Sequence, residues 1–162
     1  MNNTKIVIRN LLGLIFLLVA FSSCNEVKKE NIENVAGIEL VVSDTLKWSE
    51  RMILSEIERF PKASLLDFRD SPKWSYTNGL VLSAAARVYE QTKNEKIYNY
   101  IYAYADEMID STGVIKTYKL SNQNLDMIKS GDVLLYLYPK TKEERFLKAM
   151  ETLDSQMETQ PK

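Results

Sequence analysis

The sequence predicts an all-α fold of helical hairpins arranged as a double-layered toroid. Helical periodicity runs through nearly the whole chain from Thr45 onward. Helices that are apolar on most sides alternate with helices that are apolar on one side only, as expected for an inner and an outer layer. The turns at 92–97 and 141–146 also share one pattern, and a repeat of about 50 residues with two helices per unit indicates a hairpin array. An open solenoid is the alternative arrangement.

The first two helices differ in how much of their circumference is apolar. The first is indicated by apolar residues at helical spacing, and Pro61 ends it; these residues are Trp48, Met52, Ile57 and Phe60. The second, from about Tyr76 to Gln91, is apolar nearly all round and is therefore predicted to be buried on most sides.

The third helix, from Asn94 to Asp110, is predicted to be one-sided. Its apolar stripe consists of Tyr98, Ile101, Tyr102, Ala105 and Ile109. Four tyrosines alternate along it, which is compatible with an aromatic platform for carbohydrate. The spacing favours packing instead, with Tyr98 and Tyr102 on the stripe and Tyr100 and Tyr104 half-exposed on the outer layer.

The last two helices repeat the same alternation. The fourth, from Asn124 to Pro139, is apolar all round at 133–138, and the fifth, from Lys142 to about Met157, is one-sided. The third and fifth helices are each preceded by Thr-x-x-Glu, at Thr92 to Glu95 and at Thr141 to Glu144. This spacing predicts capping boxes, in which the two side chains satisfy helix-start N–H groups.

Charge and composition exclude several classes of function. The 162 residues carry 21 basic and 22 acidic side chains, with no basic face of the kind that nucleic acid requires. The chain has no histidine, so His-based zinc sites, a Ser-His-Asp triad and a Cys-His dyad are excluded. Acid–base chemistry must come from Asp, Glu, Lys or Tyr, and no metal ion or cofactor is indicated.

The N-terminus has the pattern of a lipoprotein signal. Lys5 and Arg9 precede an apolar run too short to span a bilayer, and Ser22-Ser23-Cys24 follows. We therefore predict a signal peptide at 1–23, lipidation of Cys24, a charged tether at 24–44 and the folded domain at 45–162. This places the protein in the bacterial cell envelope, at the periplasmic or outer surface. An ordinary signal peptide with an unrelated cysteine is the alternative.

Two short motifs precede the two apolar helices. The first motif is Trp74-Ser75-Tyr76-Thr77-Asn78-Gly79, and the second is Asn124-Leu125-Asp126-Met127-Ile128-Lys129-Ser130-Gly131. A helix start offers unpaired N–H groups and a positive dipole end, which suit an acidic ligand. The structural alternatives are that Trp74 and Tyr76 only pack and that Asn124 or Asp126 caps the fourth helix. Gly79 and Gly131 imply close backbone packing or a ligand, since each costs roughly 0.5–1 kcal/mol relative to Ala.

In these two motifs the chain resembles the unsaturated glucuronyl and rhamnogalacturonyl hydrolases, glycoside hydrolase families 88 and 105, and family 105 more closely. The resemblance also includes Leu134-Leu135-Tyr136-Leu137-Tyr138 and the turn from Thr141 to Glu144, and it covers roughly 48–162. It implies part of a six-hairpin (α/α)-toroid that removes 4,5-unsaturated uronic acid from lyase-generated oligosaccharides by hydrating the double bond.

The resemblance also implies roles for individual residues. Asp126 matches the first of two active-site aspartates, and Trp74, Ser75 and Tyr76 would form the wall that holds the uronate. The family's second aspartate, its proton donor, lies beyond the segment matched by Gln160-Pro161-Lys162. The expectation is therefore an N-terminal fragment that is inactive alone. The alternative is a membrane-anchored helical-repeat lipoprotein that binds an oligosaccharide or a protein partner.

Overall fold

A computed structural model describes residues 47–160. The predicted signal peptide, the predicted lipidation site Cys24 and the predicted tether lie outside the described residues. The described chain forms five α-helices, bounded as follows: α1 Trp48–Arg59, α2 Tyr76–Thr92, α3 Glu95–Met108, α4 Gly131–Thr141 and α5 Glu144–Thr159. Three 3-10 helices lie at Ala63–Leu65, Leu120–Asn122 and Leu125–Ser130. In this part of the chain the extended pairing consists of one isolated antiparallel bridge, between Ile109 and Ile115.

The predicted helix boundaries hold to within a few residues, except at the fourth helix. There a 3-10 segment, Leu125–Ser130, comes first and passes directly into α4 at Gly131. Pro139 does not end α4, which continues to Thr141. Across the described residues, 47–160, no helix combines the length and apolarity needed to cross a bilayer.

The helices pack as adjacent hairpins, which confirms the predicted all-α hairpin fold. α2 packs against α3, α4 packs against α5, and α2 also contacts α4, so the two most apolar helices are neighbours. α1 packs against α2 and α3. The core between them is built from fully buried aliphatic and aromatic side chains, among them Leu82, Ile101, Leu134, Leu137 and Phe146.

The two inner helices are buried over most of their circumference, as expected, but not over all of it. Leu82 of α2 is fully buried, but Leu80 on the same helix is exposed. Leu135 of α4 is 65% exposed. The reason is that α2 and α4 find neighbours on only part of their circumference, so an all-round apolar sequence leaves an apolar stripe uncovered.

The buried face of α3 is rotated relative to the predicted stripe. Tyr100, which we expected to be half-exposed, is only 6% exposed, and Tyr104 is fully buried. Tyr98 and Tyr102 are the partly exposed pair. A hydrogen-bond partner allows Tyr100 to be buried, because its hydroxyl donates to the carbonyl of Phe60 at 2.8 Å. A buried tyrosine is favourable when its hydroxyl finds such an acceptor.

The repeated turns are not capping boxes. Thr92 and Thr141 are the last residues of α2 and α4. The Thr92 hydroxyl accepts a hydrogen bond from the N–H of Asn94, and the Thr141 hydroxyl accepts one from the N–H of Glu143, each at 3.3 Å. The residues between, Lys93 and Lys142, adopt left-handed φ values of 54° and 57°. The repeat is therefore a shared helix-ending turn of the left-handed type, made here with lysine instead of the usual glycine. The following cap of α3 is Asn94, whose side chain accepts the N–H of Lys96.

Candidate functional site

The two motifs lie against each other at the start of α2. The indole Nε1 of Trp74 donates to the carbonyl of Met127 at 2.7 Å, and the hydroxyl of Ser130 donates to the carbonyl of Ser75 at 2.5 Å. Residues about 50 positions apart in sequence are thereby joined by side-chain to backbone bonds. The two motifs are therefore in direct contact.

Gly79 explains how the two segments approach so closely. A Cβ at this position would lie 2.5 Å from the backbone carbon and oxygen of Lys129 and 2.6 Å from the nitrogen of Ser130. No side chain larger than hydrogen fits without moving the backbone. Gly131 has a milder version of the same contact, since its Cβ would meet only the end of the Leu153 side chain, at 2.8 Å. Close packing therefore accounts for both glycines of the motifs.

Trp74 and Ser75 are interior residues of the described structure. The Trp74 ring is fully buried and stacks on Tyr104, with ring centroids 5.7 Å apart and an interplanar angle of 15°. Ser75 is buried too, and its hydroxyl donates to the side-chain oxygen of Asn78, whose amide in turn donates to the carbonyl of Ala63. Both side chains are therefore packed against other protein atoms in the described structure. They hold the start of α2 in position, and a ligand-binding role for them stays a prediction without a contact to support it.

Tyr76 and Asp126 are the predicted site residues that reach solvent. Tyr76, the first residue of α2, is 47% exposed. Asp126 is exposed in the first turn of the 3-10 segment. Asn124 provides the cap there, because its side-chain oxygen accepts the N–H of Asp126 at 3.0 Å. Among residues 47–160, no hydrogen bond or ion pair involves the Asp126 carboxylate, so the capping role falls to Asn124 and both carboxylate oxygens stay available to a ligand.

A cluster of buried hydroxyl groups lies beneath the two motifs and joins them to α3. The Tyr104 hydroxyl donates to the Ser130 hydroxyl at 3.3 Å, so Tyr104, Ser130 and Ser75 form a chain of hydrogen bonds between α3, the second motif and the first. Burial raises the pKa of Tyr104 well above its usual value, while the Ser130 hydroxyl and the charge of Arg69 act in the opposite direction. The tyrosine therefore stays neutral and serves as a fixed donor.

Sequence reasoning missed Arg69, which lies beside this cluster. Its Nη2 is 3.4 Å from the Ser75 hydroxyl and 3.3 Å from a carboxylate oxygen of Asp67. Nothing in its sequence context set it apart, since a single arginine in a polar turn is usually a solvated surface residue. The charge of an arginine at the edge of the two motifs is relevant to any acidic ligand there.

The described residues offer no alternative site of obvious chemistry. Within 47–160 there is no group of three or more carboxylate or cysteine side chains arranged to hold a metal ion. An open groove of about 390 Å³ lies between α4 and α5. It is lined by Ile128 and Gly131 of the second motif but by neither Tyr76 nor Asp126, so it is separate from the predicted site.

Comparisons with known proteins agree with the all-helical fold. The family model described as Glycosyl Hydrolase Family 88 matches residues 48–162. A solved structure of a glycoside hydrolase from family 105, from C. acetobutylicum ATCC 824, superimposes with a TM-score of 0.62 at 31% sequence identity. The match covers 72% of this chain and 31% of that chain, so this chain spans about a third of the length of that relative.

Proposed function

This chain belongs to glycosyl hydrolase family 88, and we propose that it acts on the 4,5-unsaturated uronic acid at the ends of lyase-generated oligosaccharides. The observation that carries the proposal is the interlocking of the two motifs. It leaves Tyr76 and Asp126 exposed on two segments that are bonded directly to each other through Trp74 and Ser130. An exposed aromatic ring and an exposed carboxylate suit a sugar, which offers an apolar ring face and hydroxyl donors.

Each residue has a defined part in this proposal. The Asp126 carboxylate accepts hydrogen bonds from the sugar hydroxyls, and the half-exposed ring of Tyr76 packs against the sugar. Trp74 and Ser75 act as positioning residues, because their hydrogen bonds fix the backbone that carries Tyr76. Site residues held by packing and by a second layer of hydrogen bonds keep the geometry that binding requires.

The proposed reaction is hydration of the double bond. An acid protonates C4 of the unsaturated ring, and water adds at C5 as a base takes its proton. The resulting hemiketal opens by breaking the bond between C5 and the ring oxygen, which leaves a ketone at C5 and a hemiacetal at C1. The hemiacetal then breaks down to an aldehyde, and the attached sugar leaves with the hydroxyl proton. This differs from ordinary glycosidases, in which two carboxyl groups flank the glycosidic bond itself. In this scheme Asp126 orients the ring, and a second carboxyl group supplies the proton.

Calorimetric titration of the full chain with a lyase-generated unsaturated disaccharide tests the proposal. We expect binding that weakens by roughly 10- to 100-fold in Asp126→Ala, because a hydrogen bond to a charged group contributes about 1.5–3 kcal/mol. Asp154→Ala, which removes another exposed acidic side chain, on α5, is the matched control and should bind as the unchanged protein does. Loss of the double bond's ultraviolet absorbance, followed in parallel, reports any turnover. Equal affinity in the Asp126 and Asp154 variants would exclude the proposed site.

We further propose that the protein is a lipoprotein of the bacterial envelope, lipidated at Cys24. The support is the sequence pattern around that residue. Intact-mass analysis of membrane fractions should show the mass of cleavage after Ser23 plus an attached lipid. A mature protein that starts at another residue, without lipid, would contradict this.

A protein-binding lipoprotein is the second candidate, favoured by the groove between α4 and α5. Leu135 and Met157 on its rim are both largely exposed, and exposed apolar patches of this kind mark interaction sites. Substituting Leu135 with Gln should leave disaccharide titration unchanged if the sugar site is the one proposed. A partner-binding role predicts instead that no unsaturated sugar binds at all.

A further inference from the structure

Arg69 lies where it can contact both the first motif and a ligand. It comes shortly after the 3-10 helix Ala63–Leu65, and its N–H donates to the carbonyl of Leu65 at 3.2 Å. Its guanidinium contacts the hydroxyl of Ser75, the residue immediately before Tyr76. The positive charge is therefore beside the start of α2, next to the residue proposed to pack on the sugar.

The guanidinium is incompletely paired. Its two hydrogen bonds within the described chain both come from Nη2, at 3.3 and 3.4 Å, near the long end of the range. Nε is buried and has no hydrogen-bond partner among the described residues, the one such side-chain atom found there. Buried donors are nearly always paired, so an orphan donor on an arginine marks a side chain whose preferred partner is absent or whose position changes.

The backbone before Arg69 is held in an uncommon conformation. Asp67 and Phe68 have φ values of 70° and 55°, so two consecutive residues other than glycine are left-handed. Such conformations persist where the surrounding structure enforces them, and they cluster at ligand-binding sites. Here they direct Arg69 back toward Ser75 while Phe68 remains on the surface.

Asp67, the acidic side chain that pairs with Arg69, is a weak competitor for a ligand. The Arg69 side chain is 24% exposed and the Asp67 side chain 57% exposed, so solvent reaches both. The pair is held by a single bond and not by two parallel ones. Exposed single-bond pairs of this kind are readily exchanged for another anion.

We propose that Arg69 binds the carboxylate of the uronic acid and so selects charged over neutral sugars at the site formed by Tyr76 and Asp126. This inference rests on the proposed function, and it adds a residue outside both motifs to the site. An arginine suits the task because its planar fork matches a carboxylate with two parallel hydrogen bonds. If the guanidinium turned toward the carboxylate, Nε could also donate a hydrogen bond, which it does not do within the described residues.

The test compares two ligands that differ only in charge. The full chain is titrated with the unsaturated disaccharide and with its uronate methyl ester, which keeps the ring and hydroxyls but has no negative charge. The unchanged protein should prefer the acid by about 10-fold or more, the usual effect of a charge-assisted bond. Arg69→Gln should lose this preference while its affinity for the ester is unchanged.

Two further variants complete the design. Arg59→Gln removes the same charge from an exposed position on α1 and should keep the full preference for the acid. Arg69→Lys retains the charge without the fork and should show a preference reduced by a few fold. Circular dichroism of each variant confirms folding, and if Arg69→Gln is unfolded the lysine variant alone decides.

Each outcome separates the inference from the function on which it rests. If Arg69→Gln keeps the preference for the acid, the inference is wrong and the sugar site stands. If affinity for acid and ester fall equally, Arg69 only supports the fold, which also overturns the inference. If the unchanged protein binds neither ligand, the proposed function itself fails.

Discussion

Replacing Gly79 with alanine is the perturbation that most directly tests the interlocking of the two motifs. The added methyl group would lie 2.5 Å from the backbone of Lys129, against an ordinary contact distance of at least 3.4 Å. The atoms in the way belong to the backbone and cannot rotate aside. One segment must therefore move by close to an ångström, which stretches the bonds from Trp74 and Ser130 that join the segments.

The expected loss of stability in Gly79→Ala is the sum of opposing contributions. Overpacking a tight contact costs about 1–3 kcal/mol. Weakening two hydrogen bonds adds about 1 kcal/mol each. Alanine in place of glycine within a helix stabilises the helix by about 1 kcal/mol. The Gly79→Ala variant should consequently be less stable by roughly 2–4 kcal/mol, a fall in Tm on the order of 10 °C for a domain of this size.

Gly131→Ala is the matched control, because it makes the same chemical change at the other motif glycine. Its methyl group would meet only the mobile end of the Leu153 side chain, at 2.8 Å. That side chain can shift, so the overpacking cost and the helix gain nearly cancel, and stability should stay within about 1 kcal/mol of the unchanged protein. Denaturant titration of both variants, followed by circular dichroism, measures the difference. A Gly79→Ala variant as stable as Gly131→Ala would refute the close contact.

Four other substitutions give separate tests. Trp74→Phe should destabilise the fold by about 1–3 kcal/mol in denaturant titration, because the partly buried carbonyl of Met127 loses its donor. Asn124→Ala should cost about 1 kcal/mol through loss of its cap, whereas Asp126→Ala should leave the unfolding free energy nearly unchanged. Hydrogen bonds from lysine and tyrosine neighbours, Lys140 first, lower the pKa of Glu90 from 4.5 to about 2. A depressed carboxyl pKa stabilises the fold above the unfolded pKa, so the Tm difference between the unchanged protein and Glu90→Gln should shrink as pH falls from about 4.5 to 2.

The fold was largely predictable from sequence because its strongest signals are local. The five helices and their alternation follow from apolar periodicity, which sums many weak preferences along one segment. The first helix illustrates this: Pro61 and the spacing from Trp48 to Phe60 place α1 within a residue or two of its observed bounds. The boundary at the fourth helix did not follow from the sequence, since 3-10 and α-helical turns share the same side-chain spacing to a first approximation.

The candidate site was predictable only in part. The importance of the two motifs and of their glycines followed from their position at helix starts. The sequence did not predict which side chains of each motif reach solvent. Trp74 and Ser75 are buried, whereas Tyr76 and Asp126 are exposed. Arg69 gave no sequence signal, because its neighbours Ser75 and Tyr104 are brought to it by the packing of other elements.

The sequence by itself therefore determined the helices and the hairpin repeat, because these depend on residues close in the chain. The tertiary structure alone decided the orientation of α3, which buries Tyr100 and Tyr104, and the interior position of Trp74. The burial of a side chain depends on atoms contributed by distant segments. A tyrosine or tryptophan, apolar in body and polar at one end, is stable inside or outside, and its choice is fixed by whether a carbonyl such as that of Phe60 or Met127 lies within reach.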